Sequence, residues 1–425
     1  MRIAILPCTG RSRYGHTTEM MPELMDALTA LGHTCLVLHP FASRSGALTG
    51  LPPSVSCLDL GYTRSREGVA HARRQLLDAS PDLVLALYDD ASPLPLPALL
   101  NGSGIPLLLA EMISPAVLEE ECWMPYERRA CLAAADSIVL RHAACLEALP
   151  AFLHGRARII PEYAPAVITA EPDRDDAEKI VLVPITSEQD MAGGLMLLTA
   201  FATLAPAAPG WTLHFLADAA DAATLEAMAA RAGLAERVSF SPIGPLGNVG
   251  HAAARLLFLP ALHLENGAPV LDAWRSGLPV LAMQGCPEAS ALIRDGHNGI
   301  LTPAAVDGVF RTLSLLLKRP QLRARLAAEG RHSLSGHLSE SVFPLWDAAI
   351  QDVSRFAGRT ALSIPQPDSR EAQEEARAEI ALREILARRN PAIRPACALH
   401  YRREDQLARD ADRAATESSG GASCD

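Results

Sequence analysis

Short runs that are apolar throughout recur along the chain, separated by stretches whose apolar residues return every three or four positions. "RIAIL" (2–6) is followed by the helix-patterned "TTEMMPELMDALTALG" and then by "TCLVLHP". Further runs are "PDLVLALY" (81–88), "IPLLLAE" (105–111), "ADSIVLRH" (135–142) and "ARIIPEY" (157–163). Continuous apolarity, as opposed to alternation, predicts parallel strands covered on both faces by helices. The polar stretch "ITAEPDRDDAEK" (168–179), with Pro165 and Pro172 close by, predicts a linker. The pattern then restarts with "IVLVP" (180–184), "WTLHFLA" (211–217), "RVSF" (237–240), "ARLLFLP" (254–260), "LPVLAM" (278–283) and "NGILTP" (298–303), with helical stretches at 196–205, near 221–233 and over 304–330.

The expected fold class is therefore α/β, with two doubly wound, Rossmann-like domains facing across a cleft. The first spans 1–167, the linker 168–179 and the second 180–335; "SESVFPLWDAAIQDVSRF" (339–356) predicts an amphipathic closing helix within 336–358. Residues 359–425 change character. After the linker-like "SIPQPDSR", the segment "EAQEEARAEIALREILARR" predicts a charged helix with a narrow apolar stripe at Ile380, Ile385 and Leu386. It reads either as a solvated appendage or as a helix that docks a protein partner. "ATESSGGASCD" has the composition of a disordered tail.

A chain of 425 residues exceeds one ordinary domain. Apolar residues make up 49% and aromatics only 4%, so the cores must be built from Leu, Ala and Val. A net charge of −11 argues against a nucleic-acid partner. No run of 18 uninterrupted apolar residues predicts a membrane span, and "MRIAILPCTG" suits a first strand better than a signal peptide. The 9 cysteines show no CxxC pair, which predicts reduced, packed thiols, a cytoplasmic location and no metal site.

The stretch with the most chemistry is "LENGAPVLDAWRSGLPVLAM" (264–283). Pro269 marks a helix start, because its missing N–H is one that a first turn leaves unpaired anyway. Gly277 ends the helix. Free amides at Gly267 and Ala268, together with the helix dipole, would form an anion site suited to a diphosphate. Glu265 enters just ahead and is placed to accept from a sugar hydroxyl; Asp272, read as a first-turn acid, is placed to take ribose hydroxyls. Each acid also has a plain reading: the dipole stabilises a first-turn carboxylate without any ligand, and Glu265 beside Asn266 and Gly267 makes an ordinary polar turn.

Over roughly 1–356 the chain resembles the retaining nucleotide-sugar glycosyltransferases of the GT-B fold, of the group 1 or GT4 type. The motifs that carry this are "ERVSFSPIG", "ENGAPVLDAWRSGLPVLA" and "GCPEASALIRDGHNGIL" (285–301) in the second half, with "MPELMDALTALGHTCLVL" and "ERRACLAAADSIVLRH" followed by "ARIIPEYAP" in the first. The resemblance implies transfer of a sugar from a nucleoside-diphosphate donor (UDP or GDP type) to a saccharide or lipid-linked acceptor. It implies retention of configuration, no metal or other cofactor, a role in polysaccharide biosynthesis and peripheral contact with a membrane. Glu265 would meet the donor sugar and Asp272 the ribose. Asn266, Gly267, Ala268 and Pro269 would form the donor-binding loop. Glu288 is either a donor ligand or a helix N-terminal acid. His16, in the loop after the first strand, is either a catalytic residue or an ordinary residue at a helix start.

Four departures from the family pattern stand out. The family's paired acids enclose seven residues, whereas Glu265 and Asp272 enclose six; aligned on "PVLDAW", Leu264 falls where the first acid belongs. The loop "VPITSEQDMAGGL" (183–195) has no Arg or Lys where the family binds diphosphate, and carries Glu188 and Asp190 instead. The family's glycine-rich turn after "TLHFL" is replaced by "ADAADAA", and its first-half histidine by Glu111 and Met112. Arg275, or Arg11 and Arg13, are the candidates to supply the missing charge. Two functions follow: an active glycosyltransferase with a divergent donor site, or an inactive GT-B-like subunit that partners another transferase. A nucleotide-sugar epimerase is a weaker third, and a dehydrogenase is disfavoured because no G-x-G-x-x-G follows either first strand.

Overall fold

The computed structural model describes residues 1–7, 16–40, 51–63, 65–88, 95–100, 102–115, 118, 125–165, 179–185, 188–243, 254–262 and 264–355. The first lobe contains β1 (Arg2–Leu6), α1 (His16–Ala30), β2 (Thr34–His39), β3 (Ser56–Asp59), α2 (Arg66–Asp78), β4 (Leu83–Tyr88), α3 (Leu96–Leu100), β5 (Leu107–Glu111), α4 (Pro125–Ala134), β6 (Ser137–Leu140) and β7 (Ala157–Ile159). The second contains β8 (Lys179–Pro184), α5 (Glu188–Leu204), β9 (Trp211–Leu216), α6 (Ala219–Arg231), β10 (Val238–Ser241), β11 (Ala254–Leu259), α7 (Ala268–Arg275), β12 (Val280–Met283), α8 (Pro287–Leu292), β13 (Ile300–Thr302), α9 (Val306–Lys318) and α10 (Pro320–Ser333). A last helix, α11 (Ser339–Arg355), follows.

Each lobe is one parallel sheet, ordered β3-β2-β1-β4-β5-β6-β7 in the first and β10-β9-β8-β11-β12-β13 in the second. The continuous apolar runs are explained by burial on both faces. Ile3 and Ile5 enter one core of the first lobe while Ala4 and Leu6 enter the other. Leu83, Leu85 and Leu87 of β4 likewise oppose Val84, Ala86 and Tyr88, and in the second lobe Leu281 and Met283 oppose Val280 and Ala282. Side chains alternate across a strand, so a strand covered on both sides must be apolar at every position. The strand β3 was not legible in this way. Its "SCLD" sits at the sheet edge with most of its side chains exposed, so no apolar run marks it. The expected linker over 168–179 and the C-terminal helix and tail fall outside the described residues, except that Lys179 opens β8.

The closing helix α11 packs on the first lobe, although it follows the second. Val342, Phe343, Trp346, Ala349, Ile350 and Val353 share a core with Ile3, Ile5, Met21 and Leu85. The window Asp190–Ala207 is long and apolar enough to cross a membrane by length and composition alone; half of it is buried in the second lobe's core, where Leu197 and Phe201 are fully enclosed.

One glycine carries a close helix approach. A Cβ on Gly330 of α10 would lie 2.3 Å from Cδ1 and 2.7 Å from Nε1 of Trp274 on α7. The indole is fully buried and fixed by its Nε1–H donating to the Asn298 carbonyl at 3.0 Å, so it has no room to move. Gly330→Ala is expected to cost about 1–3 kcal/mol, even though alanine is the better helix former. The urea midpoint checks this; an unchanged or raised midpoint contradicts the packing described.

In both sheets the order reverses beside the first strand, between β1 and β4 and between β8 and β11. The loop 260–267, which joins β11 to α7, therefore leaves the carboxyl end of a strand at a switch point, where open α/β sheets bind ligands.

Candidate functional site

The helix α7 forms where the sequence places it. Pro269 occupies its first turn, and seven consecutive residues from Ala268 to Trp274 are buried. Gly277, at φ 66°, ends it in a left-handed turn. Its N–H donates to the Trp274 carbonyl at 3.0 Å and that of Leu278 to the Ala273 carbonyl at 2.7 Å, the paired closure of a Schellman end. Asp272 requires a correction. It is the fifth residue of the helix, not in the first turn, where no acid is found. The helix starts at Ala268, one turn ahead of it, and Asp272 is 5% exposed with its Oδ1 accepting from Arg275 Nη1 at 2.8 Å. Arg275, a candidate for the missing diphosphate charge, is committed to that pair.

The amides at the start of α7 are engaged as well. The Gly267 N–H donates to Glu162 Oε2 at 2.9 Å, across from the first lobe, and the Ala268 N–H donates to Asn266 Oδ1 at 3.1 Å. Buried helix-start amides need acceptors, and two side chains supply them. The expectation that these amides are free is thus replaced by a filled cradle, with a carboxylate where an anion would sit. Asn266 itself is 3% exposed and Ala268 fully buried. Leu264, aligned with the family's first acid, is 2% exposed and packs in the core, while Glu265 follows it at the surface of the cleft.

Residues of both lobes line a cavity of about 770 Å3, among them Glu111, Arg141, His142 and Glu162 from the first and Glu265, Gly267 and Glu288 from the second. These side chains cluster because they sit at or just past the carboxyl ends of β5, β6, β7, β11 and β12. Further contacts join the lobes. The Ser114 N–H donates to the Glu265 carbonyl at 2.6 Å, the Ala164 N–H to the His337 carbonyl at 2.8 Å, and His337 Nδ1 lies 2.8 Å from the Glu162 carbonyl. Burial pulls His337 below its ordinary pKa, so its ring is neutral and its N–H donates to that carbonyl.

At the end of β5, where the resemblance expects histidine, Glu111 forms a fully buried pair with Arg128: Nε–Oε1 is 2.7 Å and Nη2–Oε2 3.0 Å. Glu288, in the first turn of α8, is 3% exposed and faces His142, with Nε2–Oε1 at 3.8 Å. Burial opposes the charge on Glu288, but His142 and Ser114 outweigh it and hold its carboxyl below the ordinary value. Burial likewise opposes the imidazolium of His142, and its contacts with Cys145 and Glu288 reverse that and push it up to about 9. The run "DGHNG" reaches the cavity through His297 and Asn298 and braces its own backbone there: Asn298 accepts from the Arg294 N–H and donates to the Leu292 carbonyl and Ser333 Oγ, and Asp295 accepts from the Leu301 N–H.

His16 is the first residue of α1, but its side chain, together with Arg11, Arg13 and Glu188, lies outside the described positions. Glu162, His142 and Arg128 were missed from the sequence. Glu162 had a readable signal, an acid at the carboxyl end of an apolar strand run; His142 and Arg128 acquire their roles only through partners distant in sequence.

Two doubly wound lobes enclosing a cleft at the carboxyl ends of their strands, with the final helix returned to the first lobe, define the GT-B fold. Residues 172–333, essentially the second lobe, match the family model described as glycosyl transferases group 1. Sucrose-phosphate synthase from Thermosynechococcus elongatus is similar, with a TM-score of 0.61 and 16% identity over 83% of this chain and 99% of that one. HepE from Anabaena, solved in complex with UDP and glucose, has a TM-score of 0.64 and 15% identity over 83% and 100%. The lipopolysaccharide outer core galactosyltransferase WaaB, in its apo form, has a TM-score of 0.62 and 16% identity over 83% and 99%. At these identities the likeness is one of fold. No curated protein sequence matches the chain.

Proposed function

We propose that this protein is a glycosyltransferase that moves a sugar, with retention of configuration, from a nucleoside diphosphate to a saccharide or lipid-linked acceptor. The observation that carries this reading is the start of α7. A helix N-terminus opens on the interlobe cavity at the switch point of a lobe that matches the group 1 glycosyltransferase model. HepE, of the same fold, is described with UDP and glucose bound, which favours a UDP-linked donor. When donor binds, its diphosphate takes the Gly267 and Ala268 amides and the positive end of the helix dipole. Glu162 has to leave the Gly267 amide, and Asn266 Oδ1 the Ala268 amide, for this to happen. Glu265 then receives a sugar hydroxyl, and Asp272 reaches the ribose once Arg275 releases it. Glu288 and His16 complete the donor and acceptor sides. Holding the two substrates in line and stabilising the departing diphosphate supply the catalysis.

A specific pair of observations favours a second reading, that of a GT-B subunit without catalysis. A carboxylate occupies the amide cradle, and the segment 183–195, which the sequence marks as a loop but which runs from the end of β8 into α5, carries no Arg or Lys. The two readings separate in one assay, in which a panel of UDP-, GDP- and ADP-sugars is tested for thermal shift and for release of free nucleoside diphosphate. The first reading predicts a shift and release with at least one donor. A shift without release supports the second. The absence of both with every donor contradicts the donor site itself.

A further inference from the structure

The chain passes from the first lobe to the second after β7 and returns between α10 and α11, and the core that each side chain joins shows where it turns. Tyr163 belongs to the first lobe. It packs in the core that holds Ile3 and Leu85, stacks on Phe343 of α11 with ring centroids 5.0 Å apart, and donates its hydroxyl proton to Glu23 of α1. Ala164, the next residue, is fully enclosed in a core of the second lobe with Leu182 and Val270. The outgoing passage therefore turns between 163 and 164. The return runs from Leu334, in that second core, to Val342, in the first. His337 ties the two passages together. Its carbonyl accepts from the Ala164 N–H at 2.8 Å, and its Nδ1–H donates to the Glu162 carbonyl at 2.8 Å. Glu162 thus stands on the first-lobe side of the turn, and its carboxylate crosses to the second lobe to accept from the Gly267 N–H at 2.9 Å.

Rotation about the 163–164 turn carries Glu162 with the first lobe and Gly267 with the second, so it breaks the bond between them. The Ala164–His337 bond, at the turn itself, is kept. The same rotation parts the Ser114 N–H from the Glu265 carbonyl, which lie 2.6 Å apart across the cleft. The His337 ring opposes the rotation, because it holds residue 162 to the return passage. We propose that Glu162 is an autoinhibitory plug seated by the hinge. With the lobes together, His337 holds the backbone of residue 162 where its carboxylate fills the Gly267 amide. Opening at the 163–164 turn withdraws the carboxylate and leaves the amide to a ligand's phosphate. That the ligand is a nucleoside diphosphate rests on the donor-site reading above; the coupling of plug to hinge stands on the contacts alone.

Hydrogen exchange of the full chain, read at single amides by NMR, tests the coupling. Gly267 and Ser114 are expected to share one opening constant and to exchange faster than Ala164, at the turn, and Leu278, whose N–H bonds the Ala273 carbonyl inside the second lobe. His337→Ala removes one neutral hydrogen bond from the closed arrangement. It is expected to speed exchange at both Gly267 and Ser114 by about fivefold and to leave Leu278 unchanged. His337→Asn, whose side-chain N–H stands where Nδ1–H does, is expected to restore the native rates. If the alanine variant fails to fold, His337→Phe, which keeps a ring and lacks the donor, takes its place. Calorimetry with UDP tests the inhibitory role: the alanine variant is expected to bind about fivefold more tightly than the native chain, and the asparagine variant with native affinity. The proposal is overturned if Gly267 and Ser114 respond separately or not at all, or if Leu278 accelerates with them, as local unfolding around α7 would require. It is also overturned, with the donor-site reading left standing, if UDP binds the native chain and the alanine variant equally well. UDP bound by none of the three proteins defeats the donor-site reading and, with it, the plug as an inhibitor.

Discussion

Arg128→Ala is expected to destabilise the protein by about 3–5 kcal/mol, among the largest effects of any single substitution outside the hydrophobic cores. Its guanidinium and the Glu111 carboxylate form a two-pronged pair with both residues 1% exposed. Removing the cation leaves a carboxylate enclosed without its counter-charge. The magnitude comes from that stranded charge and not from the worth of the pair, because burying both ions costs desolvation that their attraction only offsets. Replacing both partners, as in Glu111→Leu with Arg128→Met, is therefore expected to recover most of the loss. Denaturant midpoints of the two variants decide the matter. A single substitution costing less than about 1 kcal/mol, the range of an exposed pair, contradicts the burial described.

Glu162→Gln is expected to tighten the binding of nucleoside diphosphates by about ten- to hundredfold, the equivalent of one charge-assisted hydrogen bond of about 1.5–3 kcal/mol. In the native chain the Glu162 carboxylate holds the Gly267 amide at 2.9 Å and must be displaced from it by the incoming diphosphate. It then remains nearby as a like charge, which opposes the bound diphosphate. Glutamine keeps an acceptor for the amide and removes the charge, so the helix start stays formed while the competition weakens. Titration calorimetry with UDP on the two proteins measures the change. Equal or weaker binding by the variant contradicts the role given to Glu162.

Legibility from the sequence followed burial. Strands enclosed on both faces, such as β4 and β12, are apolar at every position and stand out at once; β3, uncovered at the edge, carries "SCLD" and leaves no trace. The helix α7 was readable because its punctuation is local, with Pro269 in its first turn and Gly277 at its end. What surrounds that helix was not. Whether a helix-start amide is free depends on what approaches it in space, and Glu162 is 105 positions away in the chain. The placing of Asp272 in the first turn failed by one turn of helix, which moved it from the mouth of the site to a pair with Arg275. The "DGHNG" run was recognisable as a motif, yet its Asp295 and Asn298 brace the chain's own backbone. A pattern of residues marks a motif without distinguishing side chains that meet a ligand from those that hold the loop.

The most direct measurement is a crystal structure of the Glu162→Gln variant with UDP. The account predicts the diphosphate within hydrogen-bond distance of the Gly267 and Ala268 amides, with the side chain at position 162 turned away from them. A nucleotide bound elsewhere, or a side chain at 162 that still holds the Gly267 amide with UDP present, contradicts it.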